Sequence, residues 1–240
     1  MKRTDFTLKP SLIAMLAAAT LLTACGDDND DDTVVVTPPA PVMQTFTVTV
    51  TNLTANQPMS PVILASHASD AMLWNAGEMA SEALEKIAEG GDTADIAALS
   101  VINSSVNGTG LLMPGMSETL TLTLDEAEVA SISLATMLVN TNDAFTGINS
   151  YTIAGMEVDA TTAMKFMAYD AGTEANSEAK GSMPGPADGG EGFNAIRDDV
   201  DFVHIHPGVI SMYDGLADSV LDASHRFDNP VLAVTIMRTE

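Results

Sequence analysis

At 240 residues with a single cysteine, the chain is long enough for one sizeable domain or two small ones and forms no disulfide within itself. Nine lysines and arginines against 33 aspartates and glutamates give a formal charge of −24. Such a surface repels phosphate backbones and anionic lipid, so nucleic acid is not an expected partner and docking on an acidic membrane would need bridging cations.

The chain opens with Lys2, Arg3 and Lys9 around an apolar run, Leu12 to Ala19, that is too short to span a bilayer. Leu22-Thr23-Ala24-Cys25 follows and resembles the lipobox of bacterial lipoproteins. The expectation is a signal peptide over 1–24, cleavage before Cys25, and acyl chains on that cysteine that anchor the protein in the membrane of a bacterial cell envelope. Several acyl chains on one residue give stable anchoring where one would be marginal. Gly26 after the cysteine fits export to the outer membrane if the cell has two membranes. Residues 25–43 then read as a tether, because its aspartates repel one another and its prolines stiffen it. Loss of 1–24 makes the mature chain two charges more negative.

From residue 44 the pattern is that of a folded domain. Phe46, Val48 and Val50 alternate with threonines, as in a half-buried strand. Ser60–Ser66 is a second strand, and Leu73–Gly77, with Trp74, leads into a helix carrying Met79, Ala83, Leu84, Ile87 and Ala88 and stopped by Gly90-Gly91. Asp92–Ser100 opens on a capping aspartate and adds a turn or two of helix, and Asn103–Gly110 reads as turns. In Glu118–Asp125 the leucines face one way and the threonines the other. Asp125 to Glu128 then turns the chain into Ile132–Val139, so a hairpin is expected. Thr152–Val158, Thr161–Met167, Phe202–Val209 and Val231–Arg238 are further strands, with a Gly- and Pro-rich loop over 181–192. Repeated short strands with one inserted helix predict a mostly β, antiparallel sandwich.

Two stretches carry oxygen-rich chemistry. Met137–Ser150 runs from an apolar strand into Asn140-Thr141-Asn142-Asp143 and out through Gly147, and Tyr169 leads into Asp170-Ala171-Gly172-Thr173-Glu174. Calcium takes six to eight oxygens from such carboxylates, carbonyls and water, although clusters of this composition also serve simply as turns. His204 and His206, one residue apart, share a strand face and form a two-imidazole alternative, with Asp201 and Asp214 nearby; His67 and His225 lie in no ligand motif. No Gly-x-Ser-x-Gly stretch is present, and the fifteen methionines are scattered as core filling rather than clustered for copper. An enzyme is not expected.

The blocks VTVTNLTANQPMSPVILASH, GEMASEALEKIAEGGDT, SLATMLVNTNDAFTGI, YDAGTEAN, VHIHPGV and NPVLAVTIMR, in that order from Thr45 to Arg238, resemble the spondin N-terminal domain, the adhesion module at the start of F-spondin and mindin, in its bacterial form. The resemblance implies a β-sandwich related in shape to calcium-dependent lipid-binding modules, with calcium held at one end by Asp143 and Asp170. Glu174 matches the acidic residue that follows the latter. The third carboxylate of the family falls by ungapped count on Leu124, so Asp125 is its expected stand-in, with Glu126 in reserve. The implied function is a surface-tethered, calcium-binding, non-catalytic recognition or adhesion module for an unidentified extracellular or periplasmic protein or glycan. The alternative is a metal-dependent enzyme or metal-binding protein centred on His204 and His206.

Overall fold

The structure is a computed structural model and describes residues 40–240; the expected leader, Cys25 and the expected tether as far as residue 39 lie outside them. Residues 40–240 form one compact unit.

Among the described residues, ten strands make two antiparallel sheets. The first contains β1 (Met43–Asn52), β4 (Ser117–Asp125), β7 (Thr161–Phe166) and β10 (Leu232–Arg238), in the order β4-β1-β10-β7. The second contains β2 (Ile63–His67), β3 (Ile102–Asn107), β5 (Ser131–Met137), β6 (Ala144–Thr152), β8 (Ala168–Asp170) and β9 (His204–Ile205), in the order β3-β2-β5-β6-β8-β9. Alternation dictates how they stack. Phe46, Val48 and Val50 of β1 and Leu120, Leu122 and Leu124 of β4 meet Leu64, Ile132, Leu134 and Ile148 of the other sheet in one apolar cluster. The threonines on the opposite face pair across β1 and β4 through their hydroxyls, Thr45 with Thr123 and Thr49 with Thr119. That face keeps its polar groups in water while satisfying them along the ladder.

Every residue of β5 is buried, because the second sheet is covered on its outer face as well. The cover is α1 (Glu82–Gly90) with the short α2 (Ala94–Ala97), whose Leu84, Ile87, Ala88 and Ile96 pack with Trp74 on Ile63, Ala135 and Phe145. Ser81 caps α1 by accepting the Leu84 N–H, and Gly91 ends it in the left-handed conformation. Met79, expected inside this helix, precedes it and is exposed.

Four expectations change. The strand expected over Phe202–Val209 is reduced to the two residues of β9, His204–Ile205. Asn103–Gly110 is largely the edge strand β3: its asparagines and serines look like turn formers, but β2 supplies a full antiparallel ladder. The strand expected over Thr152–Val158 lies earlier, at Ala144–Thr152, so Gly147 sits inside β6 rather than at a loop exit. Finally, β4 and β5 form no hairpin. The 3-10 turn at Glu126–Glu128 carries the chain from one sheet to the other, since the leucine face of β4 is buried only by packing across the sandwich.

Candidate metal centre

The strand registers bring three polar side chains together at one end of the second sheet. Asp170, the last residue of β8, stands opposite Ala144 on one neighbour and opposite His204 on the other. Asp143 immediately precedes Ala144. Asp143 and Asp170 are both fully buried, and the carboxylate of each presses on the other.

The loop in front of Asp143 is held mostly by its own chain. Thr141 Oγ donates to the Leu138 carbonyl at 2.6 Å and accepts the Ala144 N–H. Asn142 accepts the Glu178 N–H and donates to Glu174 Oε1 at 3.0 Å, while Asn140 accepts the Ala187 N–H. These side-chain oxygens, which on composition read as cation donors, are therefore already used. Asp143 differs. Its Oδ2 accepts the N–H groups of Thr173 at 2.8 Å and Glu174 at 3.2 Å, and its Oδ1 is buried with no partner. Burial, and after it the Asp170 charge, pushes the Asp143 carboxyl well above the usual carboxylate range.

Asp170 is oriented by a relay. Its Oδ1 accepts the Gly172 N–H and its Oδ2 accepts Asn176 Nδ2 at 2.7 Å. Asn176 Oδ1 accepts from His206 Nε2 at 3.0 Å, and His206 Nδ1 accepts the Gly208 N–H. The two contacts fix one neutral tautomer, and burial pushes the His206 ring down to about 4. Gly172 adopts φ 71°, and a side chain there would strike the Phe202 backbone, so this turn sits directly against the segment leading to His204.

A cation fits this geometry. Two fully buried carboxylates press on each other and one of their oxygens has no N–H donor, an arrangement that either a shared proton or a cation relieves.

The Spondin_N family model matches residues 49–183, more than half of the chain. The chain belongs to the spondin N-terminal family. No curated protein matches it. The family is one of extracellular recognition and adhesion-type modules, and the matched stretch of this spondin domain contains Asp143, Asp170 and Glu174.

The other expected residues are placed as follows. Glu174 is half-buried beside the pair; its backbone serves Asp143, its carboxylate accepts the Asn142 amide, and burial pushes it up to about 7. Asp125 is not brought to the site. It caps the 3-10 turn by accepting the Ala127 N–H, and that turn feeds Ser131, which pairs with Thr152 at the far end of β6. The length of β6, roughly 25 Å at about 3.3 Å per residue, separates the two ends. Glu126, held in reserve, sits in the same turn and is equally remote.

His204 and His206 do share a side of the spondin domain, with Nε2 of each within 4.0 Å of Asp170. Asp201 and Asp214 do not join them, being paired with Arg197 and Arg226. His67 is buried between the Ala68 carbonyl and Ser133 Oγ, and His225 closes a capping box with Asp222. Asn176 and Asp199 were not legible as site residues. Asp199 lies within 4.8 Å of Asp170 and His204 ligand atoms, a proximity made by the fold of 171–203 and by no spacing in the chain.

Proposed function

We propose that this spondin domain is a non-catalytic recognition or adhesion module, tethered to the cell surface through an acylated Cys25, in which calcium bound by Asp143 and Asp170 fixes the loops at one end of the sandwich. The single observation that carries the reading is the unpartnered, buried Asp143 Oδ1 beside a second buried carboxylate. Asp143 and Asp170 would hold the ion, with Glu174 as the adjacent acidic residue. A hard dication with oxygen ligands is what paired carboxylates select.

The ion would supply fixed positive charge between segment 138–143 and segment 170–176, which at Asp143 are joined by the Thr173 and Glu174 N–H groups and the Thr173 hydroxyl, and beside it by Asn142 donating to Glu174. The chain's part is to hold the carboxylates ready: Asn176, oriented by His206, keeps Asp170 turned, and the Thr173 turn keeps Asp143 in place. The ligand of the module is an extracellular or periplasmic protein or glycan. The acidic surface argues against nucleic acid.

Isothermal titration of the full chain in detergent with calcium tests the reading. One calcium-selective binding event, removed by Asp170→Asn, is expected; heat that is absent, or unchanged by that substitution, contradicts it. For the anchor, the expected result is radiolabelled-fatty-acid incorporation that disappears in Cys25→Ser.

A further inference from the structure

The site has a second side that calcium chemistry does not explain. His204 stands directly across the β8–β9 ladder from Asp170, so their side chains share a face. His204 Nδ1 donates to the Ile205 carbonyl at 3.2 Å, which leaves Nε2 as the free nitrogen on the Asp170 side. That Nε2 stops 3.6 Å from Asp170 Oδ1, too far for a hydrogen bond. Asp199 completes the group: one ligand atom from each of Asp170, Asp199 and His204 lies within 4.8 Å of the other two. On the other flank of Asp170, the fully buried Asp143 keeps an oxygen without a partner.

We infer that Asp170, Asp199 and His204 form a second cation site, for a borderline divalent ion of the zinc class, which shares Asp170 with the calcium position and is distinct from it. Three arguments converge. The donor set is one imidazole nitrogen and two carboxylates, and imidazole selects zinc-class ions over calcium, which takes oxygen. The 3.6 Å gap between nitrogen and oxygen is close to the edge of a tetrahedron built on metal–ligand bonds of roughly 2.0–2.1 Å, which is about 3.3 Å. The imidazole also shows the arrangement of a metal-bound histidine, one ring nitrogen given to a backbone carbonyl and the other left toward the carboxylate.

His206 is not a ligand, because both of its nitrogens are used by Gly208 and Asn176. Its role is positional, through Asn176 to the shared Asp170. Asp199 and His204 lie beyond residue 183, outside the stretch that the family model matches. Three protein ligands leave a zinc ion with an open position, available to an oxygen or nitrogen donor of whatever the module recognises.

The test uses the full chain in detergent, stripped with chelator and titrated calorimetrically with zinc. Wild type is expected to bind one zinc ion tightly. His204→Ala and, independently, the near-isosteric Asp199→Asn are each expected to weaken it at least about tenfold, the lower end of what even outer-shell partners are worth. Circular dichroism checks that both variants are folded. Zinc isotherms for both folded variants that match wild type would overturn the inference and assign the heat to scattered surface carboxylates. Calcium titrated on wild type and Asp143→Asn separates the two proposals: zinc binding that needs His204 in a chain indifferent to calcium would leave this site standing alone.

Discussion

A buried carboxylate oxygen with no donor is stabilised by a proton or by a cation, and Asp143 is where the two compete. Asp143→Asn removes that competition. The amide keeps one oxygen for the Thr173 and Glu174 N–H groups and offers a donor toward Asp170, so in chelator the variant is expected to be more stable than wild type by about 1–3 kcal/mol, read from denaturant midpoints. A less stable variant in chelator would show that the pair is not strained. Acidity gives a second check. Glu174 is pushed up to about 7 and Glu89 is also raised, each chiefly by burial. A carboxyl raised in the folded state contributes stability that is present below its ordinary value and lost as pH rises through the folded one. The thermal midpoint in chelator is therefore expected to fall from about pH 4.5 through about 7, and Glu89→Gln, whose Oε1 is buried without a partner, should lessen the fall. At this scale the composition marked the stretches around Asp143 and Asp170 only as oxygen-rich, and the two aspartates were singled out through the family resemblance. Asp125 misled because counting along the chain takes no account of a crossover between sheets.

Among the elements, the segment from 171 to 203 matters most for the site, and almost none of it is regular structure. It is held by polar clamps instead. Arg197 reaches Glu85 of α1 at 2.5 Å, Asp201 at 2.7 Å and the Ala80 carbonyl, and these contacts keep its guanidinium charged. Glu85 is almost wholly buried, so Arg197→Ala leaves an unpaired charge in the core at a cost of roughly 3–5 kcal/mol, toward the lower end because the arginine itself is partly exposed. Chemical denaturation reads that cost. Hydrogen exchange should show faster opening of 197–204 than of β1 and β4. Gly172→Ala should disturb the same segment through the Phe202 backbone. Strands such as β1, β4 and β10 could be read from alternation, since one face of each is buried. For β9 the strand expected over Phe202–Val209 was too long, and its approach to β8 was not legible, because its ladder depends on a loop whose anchors are more than a hundred residues apart in the chain.

For the whole molecule, the sandwich was legible because a sheet with one apolar face has to bury it, and two such sheets with one helix leave few arrangements. What the pattern did not contain was the sheet to which each strand belongs. The leucines of β4 are satisfied equally by a hairpin partner or by a facing sheet. The strong negative charge also belongs to this scale. Monovalent salt should raise stability slightly by screening repulsion, whereas a specific ion acts at far lower concentration. The most direct measurement of the central claim is therefore thermal unfolding of the chelator-stripped full chain, in detergent, with calcium or magnesium added, for wild type and Asp143→Asn. A ligand bound only by the folded state adds about 2.7 kcal/mol at a hundredfold excess over its Kd. The account predicts a calcium-selective rise in the wild-type midpoint that is absent in Asp143→Asn. Equal responses to calcium and magnesium, or a rise that survives the substitution, would contradict it.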